Sequence, residues 1–143
     1  MATSTTAQPI PQATAQLHVS ASDLASAIST NTSDAFPNVF ATSRLVAIME
    51  IASARALEPL LKPGQLSVGV SIDVSHTAPT PLDANVVAEA TYRGSEGKLF
   101  VFDVMARDEG GEIGKAVHKR AIVDVERLEQ GAAKRFADLS KRL

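Results

Sequence analysis

Glu50 interrupts the run Leu45-Val46-Ala47-Ile48-Met49-Glu50-Ile51-Ala52-Ser53-Ala54, which holds no other charge. An ionised carboxylate among apolar neighbours is costly unless it is paired. One retained there can attack a carbonyl or act as base for water that does. The spacing also allows a plain alternative. Glu50 could share a solvent stripe with Ser43, Ala47 and Ala54, or pair with Arg44 or Arg55. His76 ends an alternating apolar stretch, and by parity it shares a face with Val68, Val70, Ile72 and Val74. A histidine there could meet Glu50, or be an ordinary satisfied strand-end residue. Thr42 is either a helix N-cap or a hydroxyl close to the chemistry. It lies eight residues before Glu50, about 12 Å of helical rise. The two can share one centre only if Thr42 lies off the helix end or if two copies meet.

Other positions invite weaker readings. Gly69 lies inside a strand pattern and marks a bulge or a close approach to the backbone. Phe36 and Phe40 flank Pro37 and are either core residues or a mobile aromatic lid. His118 and Arg120 share a strand face opposite Val117 and Ala121, and read as an exposed or intersubunit polar pair. His18 joins no constellation, and three scattered histidines make no metal site. There is no phosphate loop and no Gly-x-Ser-x-Gly elbow. No metal or cofactor is expected.

Those residues need elements to hold them. Residues 1–16 are rich in Ala, Thr, Ser, Gln and Pro and read as a disordered leader, with the folded domain at 17–143. A first strand could start at Leu17–Val19, and Ser20–Asp34 reads as loop with a helical turn. Thr42 or Ser43 caps a helix that runs from Leu45 to Leu61, apolar nearly all round, and Lys62-Pro63-Gly64 stops it. Strands are expected at Leu66–Val74, Asn85–Arg93, Leu99–Arg107 and Ile113–Val125, the last with Ile113, Val117, Ala121, Val123 and Val125 on one face. Short turns at Ser95-Glu96-Gly97 and Asp108-Glu109-Gly110-Gly111 make the last three strands an antiparallel meander. Glu129–Leu143 reads as a surface helix. One long apolar helix and one antiparallel sheet bury each other best if the sheet wraps the helix. That arrangement is the hotdog fold, of class α+β.

Composition limits the function. The 143 residues suit one domain. With no Trp and few aromatics, the core must be built from Val, Ile, Leu and Ala. A formal charge of −2 leaves no basic excess for nucleic acid. The absence of Cys excludes a disulfide framework and a thiolate nucleophile. No apolar run is long enough for a membrane span, and no signal peptide is visible. The cytoplasm is the expected location.

Several segments resemble the fluoroacetyl-CoA thioesterase family. They are Phe36-Pro37-Asn38-Val39-Phe40-Ala41-Thr42, Val46-Ala47-Ile48-Met49-Glu50, Leu60-Leu61-Lys62-Pro63-Gly64, Ser67-Val68-Gly69, Val74-Ser75-His76-Thr77-Ala78-Pro79-Thr80-Pro81, Asp108 to Gly114, and His118-Lys119-Arg120-Ala121. The resemblance implies a hotdog homodimer that hydrolyses an acyl-CoA thioester. It implies Thr42, Glu50 and His76 as catalytic residues, and Phe36, Gly69 and Arg120 as substrate-binding ones, with Phe36 as a gate. Ser33 stands where the fluoroacetyl-specific member has another aromatic, and Arg44 where an apolar residue is expected. Both differences fall on the lid and pocket, so thioester hydrolysis is expected while the preferred acyl group, fluoroacetyl or another, is left open. The competing expectation is a non-catalytic hotdog protein that binds an acyl-CoA or a hydrophobic small molecule. A hotdog dehydratase would need a His–Asp pairing around a glycine-rich stretch, and none is present. A purely structural dimer module would leave Glu50 without a purpose.

Overall fold

The computed structural model describes residues 11–140. In chain order it holds β1 (Gln12–His18), α1 (Thr42–Leu57), β2 (Gln65–His76), β3 (Asn85–Glu96), β4 (Leu99–Asp108), β5 (Gly111–Asp124) and α2 (Val125–Ser140). The strands form one antiparallel sheet in the order β1-β3-β4-β5-β2, curled around α1. This is the expected hotdog arrangement. β1 takes in Gln12–Gln16, which composition had assigned to the leader. That stretch pairs residue for residue with Val87–Thr91, so ladder bonds order a segment that has little to bury. Residues 1–10 of the expected leader lie outside the described residues.

The ends of α1 also differ from expectation. Its N-cap is Ala41, which makes no side-chain capping bond, and Thr42 is the first helical residue. The Ala41 N–H instead donates to the Asp23 carbonyl, 2.9 Å away. The Thr42 hydroxyl is therefore released from capping duty. Pro59 ends the α-helix early, because proline cannot donate the next helical bond. A 3₁₀ turn at Glu58–Leu60 completes the segment. α2 starts at Val125, directly after β5 and ahead of the expected Glu129.

The core lies between α1 and the concave face of the sheet. Leu45, Ile48, Met49, Ala52, Ala56 and Leu57 pack against Val86, Ala88, Ala90, Phe102, Val104 and Ala106. The alanines on the central strands let the helix lie close. Each fully buried Leu or Met contributes roughly 1.5–3 kcal/mol. The sheet covers only one side of α1. Ser43, Arg44, Ile51 and Arg55 are exposed, so within one chain the helix is not wrapped all round.

Two strands show their faces differently from simple alternation. The β2–β5 register shifts between Gly69 and Ser71, leaving Val70 as the extra residue of a bulge. A bulge moves alternation by one. Ile72, Val74 and His76 lie opposite His118, Ala116 and Gly114 on the inner face, whereas Leu66 and Val70 are exposed. On β5 the inward set is Ala116, His118 and Arg120 rather than Val117 and Ala121.

Candidate active site

The expected residues gather in two clusters on one chain. The first lies at the N-terminal end of α1. The Thr42 Oγ1 is 2.8 Å from His76 Nδ1, joining the helix start to the end of β2. Phe40 packs edge-on against the His76 ring, with centroids 6.4 Å apart. The His76 Nε2 is buried and has no hydrogen-bond partner among the described residues. It is thus the ring atom left for a ligand. Burial pushes the His76 pKa below its ordinary value, because the charged ring loses hydration. Phe36, half exposed, joins Phe40, Thr42 and His76 around a cleft of about 400 Å³.

The Phe36–Phe40 segment beside this cleft, in which Phe40 is a core residue, is stitched to the neighbouring loop. Ala25 N–H donates to Val39 O at 2.7 Å and Ser26 N–H to Pro37 O at 3.1 Å. Leu24 and Phe40 form an isolated antiparallel bridge. Pro37 thus prevents a helix, as its sequence position requires, and its carbonyl fastens the segment instead.

The second cluster surrounds Glu50, two helical turns further along α1. Glu50 Oε1 is 3.5 Å from Arg120 Nη1. The carboxylate is 45% exposed while the arginine is 7% exposed, so the pair is rooted in the core and opens outward at the acid. Neither Arg44 nor Arg55 is its partner. Arg44 faces Asp23 at 3.8 Å, and Arg55 donates to Thr14 O at 3.2 Å. Gly69 lies directly beneath Glu50. A Cβ built there would collide with Glu50 Oε1. Both readings of Gly69 therefore hold, as it abuts the bulge and admits a close approach.

His118 and Arg120 are not an exposed pair. They are 1% and 6% exposed and touch each other, with Arg120 Nη1 3.1 Å from His118 Nε2. Arg120 also donates from Nε to Ser67 Oγ at 3.0 Å and from Nη2 to Ser67 O at 2.9 Å. His118 Nδ1 lies 2.8 Å from Ser71 O. Desolvation pushes both His118 and Arg120 below their ordinary pKa values. Ser67 is a site component that spacing did not single out, and His118 was singled out but placed on the wrong side of the sheet. The bulge at Val70 was the missing signal, since it turns Ser67 and Gly69 toward the inner face.

Among the described residues no hydrogen bond or ion pair joins Glu50 to Thr42 or His76. Their separation along α1 is about the 12 Å expected from helical rise. A larger groove of about 520 Å³ crosses the outer sheet face beside Asp73, Glu89, Asp103 and Lys115, but none of these residues contacts either cluster.

Comparison with known proteins bears on the family and the fold. Residues 19–126 match the family described as fluoroacetyl-CoA-specific thioesterase. The fluoroacetyl-CoA thioesterase of Streptantibioticus cattleyicolor is 44% identical over 93 residues, 65% of this chain and 67% of that protein. A variant of the fluoroacetyl-CoA thioesterase FlK, solved in complex with fluoroacetate, superposes with a TM-score of 0.83 at 31% identity. That match covers 90% of this chain and 98% of the other. A hot-dog-like protein from Thermanaerovibrio acidaminovorans superposes with a TM-score of 0.76 at 26% identity, covering 90% of this chain and 93% of that one.

Proposed function

This chain belongs to the fluoroacetyl-CoA-specific thioesterase family, and from that premise we propose that it hydrolyses a short acyl-CoA thioester to the free acid and CoA, with Glu50 as the group that meets the carbonyl. The observation that carries the reading is the Glu50 carboxylate, set on an apolar helix face over a glycine and held by a buried arginine. Arg120 supplies a buried counter-charge that aims the carboxylate. A side chain at position 69 would displace the carboxylate, so glycine is what lets Glu50 lie against the β2 backbone, where a peptide N–H can stabilise an oxyanion. Glu50 acts as nucleophile, forming a transient anhydride, or as base for water.

Thr42 and His76 supply the second half. The hydroxyl fixes the ring through Nδ1, and Nε2 is the atom free to assist the departing thiolate or the attacking water. Phe36 closes the cleft and limits water and acyl size. One chain holds the halves apart, which favours a homodimer as the working unit. β2 is a long edge strand with Leu66 and Val70 exposed, a surface that invites pairing with a second copy. Antiparallel β2–β2 pairing across this edge would carry the Glu50 cluster of one protomer toward the Thr42–His76 cluster of its partner. The exposed side of α1 would be covered in the same step. We assign the enzyme to the cytoplasm, with no cofactor.

Thiol release from a panel of acyl-CoAs tests the reading. The parent protein should turn over acetyl-CoA or a close analogue. Glu50→Gln keeps the volume and removes the charge, and kcat should fall about 10²–10⁴-fold. A folded E50Q protein with the parental rate would refute the mechanism. Binding without any thiol release by the parent would favour the non-catalytic alternative.

A further inference from the structure

His118 is almost fully buried and takes no direct part in the mechanism above, yet its two ring nitrogens are both committed. Nδ1 faces the Ser71 carbonyl at 2.8 Å. A carbonyl can only accept, so Nδ1 carries the proton. Nε2 faces Arg120 Nη1 at 3.1 Å. A guanidinium can only donate, so Nε2 must be a bare acceptor. Geometry alone therefore selects the neutral Nδ1–H tautomer.

That tautomer completes a cradle. Arg120 Nε and Nη2 are held by Ser67, and Nη1 donates to His118 Nε2 while facing Glu50 Oε1 as an ion pair at 3.5 Å. Removing the acceptor at His118 takes away one of the three contacts that set the tilt of the planar guanidinium, and with it the aim of Nη1 at the Glu50 carboxylate. We propose that His118 is a positioning residue for the thioesterase reaction, which orients the Arg120 guanidinium and through it the Glu50 carboxylate. The inference rests on the role given to Glu50 under Proposed function.

The charged groups facing His118 are Arg120, on its own strand, and Glu50, across from α1. β2 presents only the Ser71 carbonyl as a polar partner. Protonating the ring would point Nε2–H at a guanidinium N–H and place two positive charges side by side. The neutral form is therefore the working form, and the lowered pKa caused by burial agrees with it.

Two substitutions separate positioning from packing. Gln can present its carbonyl oxygen where Nε2 lies, and so can still accept from Arg120. Asn can reach only as far as Nδ1, and so keeps the Ser71 contact while losing the acceptor. We expect His118→Gln to retain at least about a third of kcat. His118→Asn should lose about tenfold in kcat, with KM changed less than about threefold, a difference of about 1.4 kcal/mol in the barrier. Equal kcat in the two variants, or a loss confined to KM, would overturn the proposal. A second measurement needs no variant. Long-range ¹H–¹⁵N spectra of the parent protein at pH 7 should show His118 as the Nδ1–H tautomer, and an Nε2–H or doubly protonated ring would overturn it. If the parent protein releases no thiol from any acyl-CoA, the thioesterase reading fails, while the tautomer result still reports on the cradle.

Discussion

The space above Gly69 is occupied by the Glu50 carboxylate, with His118 Cε1 and Arg120 Nη1 as its next neighbours. A Cβ at position 69 would stand 3.2 Å from the first of these and 3.4 Å from the second. Gly69 is not in the left-handed region, so the backbone itself accepts alanine. The strain of Gly69→Ala would fall on Glu50, whose flexible side chain can turn toward solvent. We expect G69A to change stability by less than about 1 kcal/mol, because alanine also reduces the freedom of the unfolded chain. The same variant should lose tenfold or more in kcat, since small misplacements of a reacting group are costly. Thermal unfolding and thiol-release kinetics on one preparation check both halves, and an active G69A enzyme would refute the packing argument. Residue types alone singled out Glu50 and Gly69, whereas His76 was expected to meet Glu50 and is instead joined to Thr42. An acid in an apolar helix and a glycine in a strand are exceptions that need a reason. The buried partner of Glu50 was not legible, because Arg44 and Arg55 are nearer in sequence than Arg120. Only the strand pairing places Arg120 beneath the helix.

At the level of elements, hydrophobic periodicity located α1, the meander and the turn between β3 and β4, where Gly97 adopts φ +61°. It misjudged facing wherever a bulge intervened. Alternation from Leu66 to Val74 looks continuous in sequence, yet Val70 is the inserted residue and the two halves of β2 point differently. Nothing in the local residue types marks that shift except Gly69 itself. The same bulge leaves Val70 54% exposed on an unpaired edge. A charge placed there should oppose edge-to-edge pairing. If the proposed homodimer pairs through this edge, Val70→Lys should yield a monomer in sedimentation velocity where the parent sediments as a dimer, with thiol release falling in parallel. Its far-ultraviolet circular dichroism should be unchanged, because Val70 belongs to no core cluster. A monomeric V70K enzyme with parental kcat would show that one chain holds a complete site.

Taken whole, the molecule carries two histidines that folding has pushed toward neutrality, and this fixes how its stability answers to acid. For His76 and His118 the dominant cause is loss of hydration, so the folded pKa lies below the ordinary histidine value of about 6.5. Between the folded and unfolded values the unfolded chain binds more protons, so stability falls as pH falls. The contribution is intact above about pH 6.5 and is lost as pH drops through the folded values. His18 has the opposite sign. Asn85 and Asp83 raise its pKa, so its contribution is present below 6.5 and fades as pH rises through the folded value. That residue is fully exposed, so solvent screens its pairing and the buried rings decide the direction. Carboxylates remain mostly ionised from pH 7.5 to 5.5, which isolates the histidines within that window. The Tm should therefore decline as pH is lowered from 7.5 to 5.5. His118→Gln removes one titrating ring while keeping an acceptor for Arg120, so its decline should be shallower than the parent's. Scanning calorimetry of the two proteins across that window is the measurement. Parallel Tm curves would mean that His118 titrates alike in the folded and unfolded states, and that the pairing of its two ring nitrogens with Ser71 and Arg120 does not hold it neutral.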